Sequence, residues 1–351
     1  MTHRKHYLDT VRFLALIGIL INHCFNNSPA EKIVNILQDY HAVLFVLLMG
    51  VFIDTKSSAK KTLIRSSVLI GTGFALGSST IVIDVILVQL GLLNLLAWGI
   101  SQYIHKTRTL FIITSIWLII SPIISITVRN FFEKTLLIIP TQKNIGLELL
   151  IEDPVSFILR PFFYSSYPVL QWTTIILIGM ILKSYLNAQW WRISIIGLTM
   201  FCFAKIVSFF FNGSLWTMDN GTPNNWTNVF DSGAYTGTTL AILSSVGMGI
   251  VVIGFVKFLD NLLKWRINPY LSGSTLTLYS LHTFSFTMIP MYILENTPYS
   301  LALFSSTLIG FVVVSYIWYR LSKFYGFTKY GALEEFTYYL TTSKTAAKSE
   351  H

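Results

Sequence analysis

Apolar residues in this chain gather into blocks of membrane length, and most charged residues fall between the blocks. The blocks lie at about 8–24, 36–53, 62–78, 81–102, 109–128, 165–184, 191–211, 236–258, 269–292 and 300–321, each near the ~20 residues that carry an α-helix across hydrocarbon. A spanning segment must satisfy its backbone groups internally, which blocks of this length achieve as helices. The pattern predicts an all-α, polytopic transmembrane bundle of about ten helices, organised as one domain over 1–342. Within it, 323–342 (KFYGFTKYGALEEFTYYLTT) sets aromatics and acids at helical spacing and reads as an interfacial or cytoplasmic helix. The polar tail 343–351 has too few apolar residues to pack and is expected to be disordered. A re-entrant or interfacial element is expected around Leu136–Pro140. No internal repeat stands out, which argues against a fold built from two related halves.

Composition supports the membrane reading. Of 351 residues, 53% are hydrophobic and 12% charged, with a mean hydropathy of +0.61, which excludes an ordinary soluble globule. The first block follows a basic start, but it carries Asp9 and Arg12 and has no small-x-small cleavage site. It is therefore expected to stay as a membrane helix rather than be removed as a signal peptide. The net charge of +9 would point to nucleic acid in a soluble chain. Here the basic residues are scattered through short loops and act as topology signals. Arg4, Lys5, Lys56, Lys60, Lys61, Arg65, Lys106, Arg108, Lys183, Arg192, Lys257, Lys264, Arg266, Arg320, Lys323 and Lys329 all fall at one set of helix ends. The positive-inside rule puts that set and both termini in the cytoplasm of a multi-pass plasma-membrane protein. The opposite ends include Glu31–Asp39, the loop 129–160, the acidic loop 212–234 and Glu295. Sequons at Asn26, Asn212, Asn220 and Asn225 fall in these outer loops, as loops rich in Asn, Ser and Thr would produce by composition alone. Two cysteines, Cys24 and Cys202, form neither a disulfide framework nor a metal-ligand spacing.

The blocks are not purely apolar, and the exceptions are the candidate chemistry. In YLDTVRFLALIGILINHC, residues 7–24, Asp9, Arg12 and His23 fall within an arc of roughly 60° on a helix, with Arg12 and His23 about 16 Å apart along its axis. An ionisable residue at a membrane helix centre costs about 2.5–3.5 kcal/mol on insertion scales, so such a stripe faces protein or water rather than lipid. Asp9 with Arg12 is equally well read as a structural pair. Counting from the loops places His23, Asp39, His41 and Asp84 near the outer face and His282 near the midplane. Asn268, Ser272, Thr275, Tyr279 and His282 form a second stripe within about 80°. The two stripes are expected to face each other and line a path from the cytoplasmic side to an outer vestibule. A neutral imidazole at its end suits a general base, with Asp39 or Asp84 fixing its tautomer. Cys24 reads as packing rather than as a nucleophile. Lys205 either pairs an acid, holds an anionic group or snorkels.

These motifs resemble, as a set, the membrane acyltransferases related to lysosomal heparan-alpha-glucosaminide N-acetyltransferase, particularly their YeiB-like bacterial relatives. The similar pieces run through the chain: LDTVRFLALIGILINH, YHAVLFVLLMGVFI, IRSSVLIGTGFALG, IVIDVILVQLGLLNLLAW, SSYPVLQWTTIILIGMIL, AYTGTTLAILSSVGMGIVVIG, LSGSTLTLYSLHTFSF and YGALEEF. The D-x-x-R…H start and LYSLH also look like the acyltransferase-3 family. Asp9, Arg12, His23, Gly50, Asp84, Tyr167, Pro168, Trp172, Gly179, Tyr279, His282 and Glu334 match the family's patterns. Tyr40 and His41 stand where the pattern often has Gly-Arg, and Ala332 replaces its usual Pro. In the lysosomal enzyme the catalytic histidine follows the first helix, which leaves His23 and His41 both open here, with His23 favoured.

The resemblance implies transfer of an acyl group, acetyl above all, from cytoplasmic acetyl-CoA or another acyl-CoA to a sugar or lipid-linked glycan at the outer face. In that reading His23 is general base or transient acyl carrier, and Asp39 and Asp84 support it. Arg12, Lys61 and Arg65 attract the CoA phosphates, and Tyr279 and His282 line the thioester path. The implied partners are the acyl-CoA donor, the carbohydrate or lipid-linked acceptor, membrane lipids and a second copy of the chain, with no nucleic acid and no metal. The alternative from another class is a proton-coupled transporter or flippase for a small solute or lipid, with His23 and Asp84 as proton carriers. A nonenzymatic scaffold would leave the polar stripes unused.

Overall fold

The computed structural model of the chain describes residues 6–25, 40–79, 83–136, 145–212, 229–233, 236–263, 267–287 and 297–342. Among them every regular element is helical: α1 (His6–Phe25), α2 (His41–Val51), α3 (Ala59–Ser79), α4 (Leu87–Tyr103), α5 (Thr107–Leu136), α6 (Glu148–Glu152) and α7 (Pro154–Leu159), then a π-helical turn (Arg160–Tyr164), α8 (Val169–Lys183), α9 (Trp190–Asn212), α10 (Thr239–Leu263), α11 (Pro269–Ser272), α12 (Thr275–Thr287), α13 (Thr297–Tyr325) and α14 (Ala332–Thr342). Five of these, α1, α5, α9, α10 and α13, are long and apolar enough to cross a membrane. A sixth span results if the segment Pro154–Tyr164 and α8, bent by 42°, are taken together. The protein is a helical membrane protein.

Burial sorts the helices into an inner and an outer set. The short α2 and α8 are buried over almost their whole surface. They cross backbone to backbone, because a Cβ on Gly50 would lie 2.2 Å from the Ile176 carbonyl oxygen and one on Gly179 would lie 2.2 Å from that of Leu47. Only glycine permits that approach, the usual device where helices associate without a hydrophobic gradient between them. By contrast, α5, α9 and α13 present apolar side chains outward, among them Phe111, Ile116, Phe203, Phe210, Ile309 and Val312. Such outer faces suit hydrocarbon.

Local chemistry explains the breaks. The predicted ninth helix is two pieces: Asn268 caps α11 by accepting the Tyr270 N–H at 2.9 Å, Pro269 occupies its first turn, and Gly273–Ser274 interrupts the run before α12. Asn268 and Ser272 therefore leave the stripe expected on one continuous helix, and Thr275, Tyr279 and His282 keep theirs on α12. The fourth helix begins at Leu87, so Asp84 lies in a non-helical lead-in rather than in the helix. The stretch 323–342 is also divided. Helix α13 runs to Tyr325 and stops where Gly326 adopts φ 72°, a left-handed position glycine takes without strain. Helix α14 then returns to α12. The Glu334 carboxylate accepts the backbone N–H groups of Leu276 (2.7 Å) and Thr277 (3.3 Å) and the Thr277 hydroxyl. The Leu333 N–H donates in turn to Thr277 Oγ1 at 3.0 Å. A side chain from the tail thus satisfies donors that a helix start leaves orphaned. Burial pushes the Glu334 carboxyl above its ordinary value, with the Thr277 and Leu276 donors pulling the other way. Of the expected element at Leu136–Pro140, only Leu136 is described, as the last residue of α5. Asn26, Asn220 and Asn225 and the tail 343–351 lie outside the described residues.

Candidate functional site

Helix α1 is the common wall of the site. Near its start Arg12 lies 3.5 Å from Asp9 and 3.9 Å above the Phe52 ring. Arg12 also lines a cavity of about 270 Å³ enclosed by α1, α2, α3, α4 and α12. Arg65 belongs to the same wall, together with Asn94 and Trp98 of α4, and Thr275, Leu276 and Tyr279 of α12. Asn94 donates to Ser66 Oγ at 2.9 Å and Trp98 to the Ser57 carbonyl at 3.0 Å, so the polar lining is held in place. Lys61, one turn before Arg65, is exposed and outside the cavity lining. Of the three basic residues assigned to phosphate attraction, the fold brings two to the cavity.

At the inner end stands Tyr279. Its hydroxyl oxygen accepts the Ile86 N–H at 3.3 Å, which ties α12 to the lead-in of α4. Two residues before Ile86, Asp84 accepts the Ser166 hydroxyl at Oδ2. Asp84 therefore links the lead-in of α4 to that of α8, close to Tyr279. Asp39, the other carboxylate assigned to tautomer control, lies outside the described residues.

Beyond Tyr279 the site turns aromatic. The Tyr279 and His282 rings meet edge to face with centroids 4.8 Å apart, and His282 stacks on His23 at 5.9 Å with an interplanar angle of 19°. His41 is seated against α1 at Gly18, where a Cβ would lie only 1.9 Å from His41 Nδ1, and the Tyr40 ring stands 4.2 Å from it. The two histidines left as alternatives by the sequence thus meet at one helix, His23 carried by α1 and His41 packed against it at Gly18, and His282 joins them by stacking on His23. The separate depths expected for His23 and His282 do not hold.

Burial makes this cluster unusual. His41 is 2% exposed and His282 fully buried, and none of their four ring nitrogens has a hydrogen-bond partner among the described residues. An unsatisfied buried polar atom costs about 1–3 kcal/mol. His23 is less enclosed than either.

No protein-family model matches the chain, and no curated protein matches it.

Other candidates resolve as structural. Cys24 is buried in the core of α1. The Lys205 ammonium is buried and donates to the Ser232 carbonyl at 3.1 Å, which fits a lysine returning its charge to backbone oxygen. Residues missed from the sequence are Ser166 and Phe286. Phe286 lies fully buried, with its ring centroid 5.8 Å from His23 and 6.2 Å from His282. It sits four residues after His282, so helical periodicity extends the polar stripe to it; only its apolar side chain hid it.

Proposed function

We propose that this chain is a multi-pass acyltransferase of the plasma membrane, with ten membrane helices and both termini in the cytoplasm, that moves an acetyl or short acyl group from cytoplasmic acyl-CoA to a carbohydrate or lipid-linked acceptor at the outer face. The observation that carries the reading is the cavity walled by Arg12 and Arg65 that ends at Tyr279, whose ring adjoins His282 and, through it, His23. A long thioester with an anionic head suits that arrangement. Arginine recognises phosphates by charge-assisted bonds, and the apolar, aromatic inner end suits a pantetheine arm. The similarity of the LDTVRFLALIGILINH, LYSLH and YGALEEF motifs to the family related to heparan-alpha-glucosaminide N-acetyltransferase supports the same reading.

In this mechanism His23 is the base. Its imidazole takes the proton from an acceptor hydroxyl or amine as that oxygen or nitrogen bonds to the thioester carbonyl carbon. The carbon–sulfur bond then breaks, and the imidazolium returns the proton to the departing CoA thiolate. Positioned proton transfer of this kind contributes about 10²–10⁴-fold, and holding donor and acceptor in one frame adds the orientation effect. His41 and His282 set the ring environment of His23.

The test is release of free CoA thiol, and acyl transfer, by detergent-purified protein given acetyl-CoA. Turnover, together with a thermal shift on adding acetyl-CoA but not adenosine, is the expected result. Solute or lipid movement without thioester cleavage would overturn it in favour of a transporter.

A further inference from the structure

Four side chains on α12 share one stripe. Thr275, Tyr279, His282 and Phe286 fall within roughly 60° of one another, and they run in order from the cavity wall (Thr275), to its inner end (Tyr279), to the imidazole stacked on His23, to a fully buried ring. The Phe286 ring touches both imidazoles of that stack, at 5.8 Å and 6.2 Å. It therefore occupies the space directly past the histidines, on the side away from the cavity.

From this geometry we infer that Phe286 is the floor of the acyl pocket and restricts the donor to short acyl groups. The inference rests on the acyltransferase reading of the cavity. A thioester entering acyl end first passes Tyr279 and brings its carbonyl to the His23–His282 stack, so every further carbon of the acyl chain is directed at the Phe286 ring. An acetyl methyl ends before the ring. A longer chain must displace an aromatic side chain packed on two others, and close-packed interiors resist such insertion. Removing the ring leaves an apolar void at that point, which a longer acyl tail would fill.

The experiment measures kcat/KM for acetyl-, butyryl-, hexanoyl- and octanoyl-CoA with the purified full chain, in the wild type and in Phe286→Ala, with Phe286→Leu as a milder truncation that holds the fold if the alanine variant does not. The expected result is a wild type that favours acetyl over hexanoyl, and variants in which the hexanoyl-to-acetyl ratio rises tenfold or more, further in alanine than in leucine. An unchanged ratio in folded, active variants would overturn the inference, as would a wild type that turns over octanoyl-CoA as readily as acetyl-CoA. Absence of thioester turnover at every chain length in the wild type would overturn the acyltransferase reading itself and this inference with it.

Discussion

At one end of α1 the Asp9 carboxylate sits 3.5 Å from Arg12, whose guanidinium covers the Phe52 ring; at the other end His23 meets the rings of His282 and Phe286, beside histidines whose nitrogens have no hydrogen-bond partner among the described residues. The first arrangement compensates its charges within one helical turn, with Arg12 still partly solvated. The second leaves polar atoms unsatisfied in a dry setting, where each costs stability. A fold under selection for stability alone would replace those imidazoles with apolar rings. One stripe on one helix thus meets two environments: a charge pair beside a cavity wall at one end, and at the other an imidazole packed among buried rings.

Seven substitutions at six positions test that division. His23→Ala is expected to lower acyl transfer about 10²–10⁴-fold; full activity would eliminate His23 as base. Next in size is Gly18→Ala. Its methyl would fall 1.9 Å from His41 Nδ1, and overpacking of this kind costs about 1–3 kcal/mol, so lower thermal stability and lower activity should appear together. Gly71→Ala, where an added Cβ meets nothing, is the control and should not destabilise. Glu334→Ala leaves the Leu276 and Thr277 donors orphaned and should cost about 1–3 kcal/mol; Glu334→Gln keeps an acceptor oxygen and should lose clearly less, a difference readable by thermal denaturation. The smallest effect contrasts two cations. Arg12→Ala should raise KM for acetyl-CoA several-fold, whereas Lys61→Ala, on the exposed face of α3, should leave KM unchanged and shift stability by no more than about 0.5 kcal/mol. Equal effects would mean that the cavity does not discriminate between them.

Much of the architecture was legible because lipid imposes a simple rule: apolar runs of sufficient length are helices, and every apolar block contains helix among its described residues. The meeting of Arg12 and Tyr279 at one cavity followed from stripes read at 100° per residue, whereas Arg65 entered only as a basic residue near a helix end. Continuity within a block was not legible. The Asn268–Pro269 start and the Gly273–Ser274 break lie inside an apolar window whose average hydropathy passes over them. Asp84 was placed on a helix for the same reason, since Ile81–Ile86 reads as apolar whether helical or extended. Phe286 escaped because a search for ionisable residues ignores the rings that pack on them. Gly18 escaped because the notch it makes for His41 depends on a helix distant in sequence.

The Glu334 cap also sets an order of events during synthesis. Helix α12 carries Tyr279 and His282, yet the carboxylate that satisfies its first turn lies 58 residues further along the chain from Leu276. Until the ribosome has passed that point, the start of α12 lacks its partner, and the cavity that α12 walls lacks a fixed inner end. That cavity is therefore among the last parts of the molecule to mature, and a chain cut short before Glu334 is predicted to insert its earlier helices while leaving the cavity unfinished.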